Sequence, residues 1–298
     1  MTSSRGTLFG VLAIAAWSSY GVLLASNGRT NPVMAAAILF TSATVLLLAL
    51  RIVRGQGLAS LFAIPISTLA LGVTGLFGSN LFYVVALALG GAPVPVNIAA
   101  LSWPVFMALF VVLFGVARAT WYDAVAMLFG FGGVVLLAIK GGDLTIDWPV
   151  LPAFIGALCW AIYSALRTRV PAGPPDAMLA FVGVSAILCW VISFMIETPE
   201  LPPSEDLLRL VLVGFLPVGL ANYFWDFATR YGDPVLMAGL SFLEPLSSTA
   251  LIAVVLWQPV GVSDAGALLL ILLAVLLSIM SERLRRNSAS LQSDVSPS

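Results

Sequence analysis

The chain has 298 residues, 60% of them hydrophobic and 9% charged, with 13 Lys and Arg against 14 Asp and Glu and a mean hydropathy of +1.07. Soluble domains run near about 25% charged residues because their surface meets water, so this composition excludes one and calls for the bilayer as solvent. There is no His, and Cys159 and Cys189 both lie in apolar runs, which removes the usual ligands of zinc, haem and Cys–His chemistry. A pI near 5.3 and scattered basic residues likewise exclude a nucleic-acid surface.

A spanning helix with its turn takes about 25 to 30 residues. Ten apolar runs fit, near residues 7–25, 33–53, 66–89, 94–116, 121–139, 148–168, 177–196, 208–229, 235–257 and 262–281. Asn31-Pro32, Pro174-Pro175-Asp176 and Pro202-Pro203-Ser204 precede spans 2, 7 and 8, because proline suits a first helical turn. The Ser-rich polar segment 287–298 is expected to be a disordered cytoplasmic tail.

With the N-terminus inside, ten basic residues fall on the inner side (Arg5, Arg51, Arg54, Arg118, Arg167, Arg169, Arg230, Arg283, Arg285 and Arg286). Three fall outside (Arg29, Lys140 and Arg209). Basic residues near span ends resist translocation, so both termini are expected in the cytoplasm. The loop carrying Glu197, Glu200, Glu205 and Asp206 then lies outside.

The second half repeats the first at a nearly constant offset. Trp17 and Tyr20 match Trp160 and Tyr163; Asn80-Leu81-Phe82-Tyr83 matches Asn222-Tyr223-Phe224-Trp225; Gly91-Ala92-Pro93 matches Gly232-Asp233-Pro234; Trp103-Pro104 matches Glu244-Pro245; Asp123 matches Asp264. Two units of five spans, 7–139 and 148–281, must have opposite orientations, the inverted repeat of alternating-access transporters. Gly91 and Gly232 are expected as left-handed helix caps before Pro93 and Pro234. Pro104, Pro217 and Pro245 fall inside spans 4, 8 and 9 and are expected to kink them as hinges. Glycines 72, 75 and 78 in span 3, and 214 and 219 in span 8, permit close helix approach beside a cavity.

Glu244 lies about nine residues, or ~14 Å, into span 9, near the midplane. It either faces a cavity as a functional acid or, protonated, bonds a carbonyl that Pro245 frees. Asp226 and Arg230 are one turn apart near the inner end of span 8; they form either an interfacial salt bridge or part of an inner gate. Trp121, Trp148 and Trp257 mark span ends as belt anchors. Trp17, Tyr20, Tyr83, Trp103, Trp160 and Tyr163 lie deeper, where they pack as core or line a cavity. Asn80 and Asn222 either orient a substrate or bond helix to helix.

Ten spans as two inverted five-span units, a Trp in spans 1 and 6, Gly-x-Pro hairpins and the mid-span Trp103-Pro104 and Glu244-Pro245 pairs together resemble the drug/metabolite transporter superfamily and its EamA-type ten-helix exporters. The likeness covers residues 7–281. The aromatic-rich character is similar to the aromatic amino acid exporters of that group. The resemblance implies an all-α integral membrane protein of the bacterial inner membrane, export rather than import, and a central cavity lined by spans 3, 4, 8 and 9.

A phosphorylated substrate needs Arg or Lys clamps, and all thirteen basic residues fall in loops or at span ends. A zwitterionic amino acid fits better: backbone amides at a kinked helix end hold its carboxylate, Glu244 meets its ammonium, and the aromatics suit an apolar or aromatic side chain. The alternative is a multidrug exporter of lipophilic organic cations held by cation–π contacts. An enzyme needs a nucleophile with its base, which a chain without His scarcely offers. The expected partners are therefore a small-molecule substrate and the lipid bilayer, with no metal, no cofactor and no nucleic acid.

Overall fold

A computed structural model describes residues 3–20, 23, 31–90, 96, 99–116, 120–139, 148–171, 173–174, 177–198, 200–255 and 262–295. Gly91, Pro93, Arg29, Arg118, Lys140, Pro175, Asp176 and Trp257 lie outside these residues, as do the side chains of Pro245 and Asp264. Among the described residues there is helix and no strand.

In chain order the helices are α1 (Ser3–Trp17), α2 (Pro32–Val53), α3 (Ile66–Ala88), α4 (Trp103–Leu113), α5 (Trp121–Ile139) and α6 (Trp148–Leu166). There follow α7 (Ala177–Ile196), α8 (Ser204–Tyr231), α9 (Pro234–Leu240), α10 (Leu243–Val255) and α11 (Val262–Val295). Five of them, α2, α3, α6, α7 and α8, are long and apolar enough to cross a bilayer. Because α11 runs on to Val295, residues 287–295 are helical rather than disordered: the helix is already nucleated by its apolar part, and extension costs far less than nucleation.

The prolines work differently from the expected kinks. A turn at Leu101-Ser102 precedes α4, and one at Ser241-Phe242 separates α9 from α10, so Pro104 and the backbone of Pro245 belong to first turns of new helices. A first turn needs no N–H from its proline, which is why the breaks fall just before these residues. Both turns are closed by a buried serine: Ser102 Oγ donates to Ala99 O and Ser241 Oγ to Ala238 O, each at 2.6 Å. Pro217 does lie inside a helix, within a π turn over Gly214–Leu220 of α8. A second π turn, Thr74–Gly78, sits in α3 without any proline. Gly232 is extended (φ −85°, ψ 173°) and not left-handed, since Asp233 follows it as the cap of α9, accepting from Leu236 N at 2.8 Å. Just past α3 it is Gly90 that is left-handed, at φ +87°.

Helices pack in a regular scheme: α2 on α7, α5 on α11, α1 on the second half of α8, the second half of α3 on α6, and α4 on α6 and α9. Lipid is as apolar as leucine, so close van der Waals fit holds such helices together. Glycines allow it at the π turns. A Cβ at Gly214 would stand 2.6 Å from the Leu39 carbonyl oxygen, and one at Gly75 would stand 2.5 Å from Tyr163 Cβ. Met34 and Phe40 of α2 and Met178 of α7 are buried in the same core, while Phe181 of α7 packs edge-on to Tyr163 of α6 at 6.3 Å. At one end of the α2–α7 contact Glu197 accepts from Val33 N and Met34 N, both at 2.9 Å, and from Ser193 Oγ at 2.7 Å. Its carboxylate satisfies the orphan N–H groups of α2, while Asn31 Nδ2 donates to Thr198 O at 3.0 Å.

Candidate substrate site

Four tryptophans meet at the centre. Trp17 ends α1, Trp103 begins α4, Trp160 lies midway along α6 and Trp225 lies on α8. Ring centroids are 5.2 Å apart for Trp17–Trp225, 5.5 Å for Trp103–Trp225, 5.8 Å for Trp17–Trp160, 6.2 Å for Trp103–Trp160 and 6.3 Å for Trp17–Trp103. Edge-on and tilted geometry sets the positive edge of one indole against the negative face of another. Trp225 is 0% exposed, Trp103 6% and Trp160 8%, whereas Trp17 is half-buried and packs at the rim.

The buried indole N–H of Trp225 and phenol O–H of Tyr163 are each aimed at a specific acceptor, as apolar surroundings require. Trp225 Nε1 donates to Ser164 Oγ at 3.0 Å. The Trp103 side chain lies beside the Glu244 carboxyl group. Glu244 is the second residue of α10, so it stands in the break, half-buried, with its own N–H donating to Ser241 O at 3.1 Å. One turn further, Ser247 Oγ meets Ser18 Oγ at 2.5 Å and ties α10 to the chain just past α1.

Below the tryptophans lies a buried ion cluster. Trp160 packs at a tilt of 41° and 5.2 Å against Tyr163, whose hydroxyl donates to Asp226 Oδ1 at 2.9 Å. Arg167 Nε donates to the same oxygen at 2.5 Å, and Arg230 Nη1 approaches Oδ2 at 3.4 Å. Asp226 and Arg167 are each 1% exposed and Arg230 is 7%. The Asp226–Arg230 pair is therefore no solvated interfacial bridge: Arg167, the cap of α6, folds its guanidinium inward under the aromatic cluster. At the offset of 142 residues the first half carries Val84 and Ala88 where the second carries Asp226 and Arg230.

Of the residues singled out from the sequence, Trp17, Trp103, Trp160, Tyr163 and Glu244 come together. Tyr83 packs in a smaller cluster with Ala86, Val96 and Val150, and Tyr20 packs at the edge of the main core. Asn80 and Asn222 spend an amide N–H on their own helices, donating to Leu76 O at 2.8 Å and Val218 O at 2.9 Å. Trp121 and Trp148 are largely exposed at helix ends. Sequence reasoning missed Trp225, Arg167 and Glu197. The first was signalled by its match to Tyr83 and the second by its place one turn after Tyr163.

Comparison with known proteins agrees with this layout. The EamA-like transporter family matches residues 4–139 and again 147–280. The aromatic amino acid exporter YddG of Ancylobacter novellus is 30% identical over 259 residues, 85% of this chain and 90% of that protein. The YddG exporter of Salmonella typhimurium is 26% identical, over 96% of this chain and all of its own. The inner membrane transporter YedA of Escherichia coli, whose description carries no characterised substrate, is 27% identical over 83% of this chain and 80% of its own. A solved crystal structure superposes with a TM-score of 0.88 at 29% identity, covering 95% of this chain and all of that one. With two successive matches that together span nearly its whole length, the chain belongs to the EamA-like transporter family and is a membrane transporter, not an enzyme.

Proposed function

We propose that this transporter exports small amphipathic metabolites, foremost aromatic and apolar amino acids, by alternating access at the tryptophan cluster. The observation that carries the reading is an aromatic centre with an acid, Glu244, beside Trp103 in its wall. Rings of Trp17, Trp103 and Trp160 take an apolar side chain, with Tyr20, Tyr83 and Tyr163 toward the two ends, and Glu244 meets an ammonium. Relatives named as aromatic amino acid exporters support the substrate class.

Two inverted units, residues 7–139 and 148–281, supply the motion. Exchanging α1 with α6, α2 with α7, α3 with α8, α4 with the α9–α10 pair and α5 with α11 maps the packing scheme onto itself, and the π turns and serine-closed breaks recur in both halves. Such breaks let half-helices tilt without losing buried hydrogen bonds, which makes Pro104, Pro217 and Pro245 hinges. Asp226 with Arg230 closes the inner gate, both termini face the cytoplasm, and the protein sits in the bacterial inner membrane.

The test is flux of labelled tryptophan and phenylalanine from proteoliposomes holding the purified chain. Saturable amino acid flux supports the reading. Flux of lipophilic organic cations without amino acid flux replaces it with the multidrug alternative.

A further inference from the structure

The ion cluster beneath the tryptophans carries two cations and one anion. Asp226 leans toward Arg167, bonded at 2.5 Å, and meets Arg230 at 3.4 Å, beyond the 2.7–2.9 Å of a well-formed charge-assisted bond. Arg230 is nevertheless 93% buried, with its guanidinium carbon 5.5 Å from the Tyr231 ring centroid. Asp226 is thus shared by two arginines, and burying the Arg230 guanidinium on the longer of the two contacts is costly in a low-dielectric site unless an anion completes it. Its donors, a phenol O–H and two guanidinium groups, form the set that a carboxylate takes, and Asp226 shows one in place. The residue next to Asp226 is Trp225, whose ring lies in the aromatic cluster.

We infer that Arg230, backed by Arg167 and Tyr163, is a subsite for the α-carboxylate of the substrate, reached on the gate side of the cluster, with the aromatic side chain lying toward Trp160 and Trp225. This deepens the proposed function and rests on it. A monocarboxylate brings the cluster to two cations and two anions, so it binds without expelling Asp226. It also draws Arg230 from Asp226, which couples carboxylate binding to the loosening of the gate. Glu244 lies beside Trp103 at the start of α10 and Arg230 one turn past Asp226 on α8, so an amino acid meets the carboxylate pole and the ammonium pole at different elements.

The experiment uses the full chain in proteoliposomes, with free tryptophan, tryptophan amide and tryptamine each tested as competitors of labelled tryptophan flux. In the unaltered protein free tryptophan should compete at least ~10-fold better than the amide or the amine, the range set by a hydrogen bond to a charged group. Arg230→Gln should raise KM for tryptophan about ten-fold or more, change the maximal rate less, and abolish the preference over the amide. Arg230→Lys, which keeps the charge, should restore part of that preference. Tryptophan flux without discrimination against the amide, or Arg230 variants that alter all three competitors equally, overturns the inference and leaves the exporter reading standing. No tryptophan or phenylalanine flux from the unaltered protein overturns both.

Discussion

Asn80 and Asn222 make the same bond in two different helices: each amide nitrogen donates to the carbonyl four residues earlier, Leu76 at 2.8 Å and Val218 at 2.9 Å. Both acceptors lie in the π turns of α3 and α8, where the backbone ladder is out of register. A side-chain N–H that supplies a local donor holds such a turn in a medium that offers no water. These asparagines therefore set the shape of the two helices beside the tryptophans. Asn222→Leu should lower stability by roughly 1 kcal/mol and slow turnover while leaving KM for the amino acid within about two-fold. Thermal unfolding together with flux kinetics checks this, and a large rise in KM with unchanged stability would place the amide on the substrate instead.

A recurrence was legible because Gly-x-Pro, Trp and Asn recur at nearly one offset, and the family match likewise falls on the chain twice. What lay beyond reach was side-chain reach itself. Arg167 sits at a helix end, the usual place of a solvated arginine, and only the packing of α6 on α8 brings its guanidinium under Trp160. The π turn of α3 has no proline to announce it, since close approach of Gly75 to Tyr163 and not a missing N–H accompanies it. Pro104 and Pro245 were visible as interruptions, but a break followed by a first-turn proline and a kink within one helix read alike in one dimension.

Trp17 and Trp225 should respond differently to truncation. Trp225 is fully buried and bonded to Ser164, so Trp225→Ala leaves a cavity and an unpaired hydroxyl and should cost about 3–5 kcal/mol. Trp17 is half-buried at the rim of the same cluster, so Trp17→Ala should keep the protein folded and raise KM for aromatic amino acids about ten-fold. Unchanged KM for every aromatic substrate with expression intact would remove Trp17 from the substrate path.

Glu197 should matter for stability and not for recognition. Its carboxylate joins the last turn of α7 to the first N–H groups of α2, a helix-capping role with no contact to the central cluster. Glu197→Ala removes three accepted bonds and should lower Tm by roughly 2 to 6 °C, from a cap worth about 1–2 kcal/mol. The KM should not move. Labelling of a cysteine placed at the neighbouring Glu200 tests the topology in the same variants, since reagent added outside intact cells should reach it.

Glu244 should act through charge. Its carboxyl group lies beside Trp103 in the wall of the aromatic cluster, and Glu244→Gln keeps both shape and hydrogen-bonding capacity. The variant should insert and unfold like the parent yet lose most transport, because the negative charge that an ammonium meets is gone. Parent-like rates in Glu244→Gln across about pH 5 to 8 would make it a structural residue, a range that spans the titrations open to such an acid.

The Arg167–Asp226 pair offers the sharpest energetic test of the gate. A buried pair with one member removed leaves an uncompensated charge, typically at a cost of about 3–5 kcal/mol, while replacing both members by apolar groups of similar volume is often tolerated. Asp226→Leu leaves Arg167 and Arg230 facing each other without their shared carboxylate, so it should be the worse of the two designs. The double variant Asp226→Leu with Arg167→Met should recover only part of the lost stability, since Arg230 still lacks its carboxylate, measured as thermal unfolding in detergent. If the pair only fills space, the double variant then transports like the parent. If it is the inner gate, the double variant folds but leaks: substrate flux loses its saturation, because the seal under the tryptophans has lost the ionic contact that reforms between cycles.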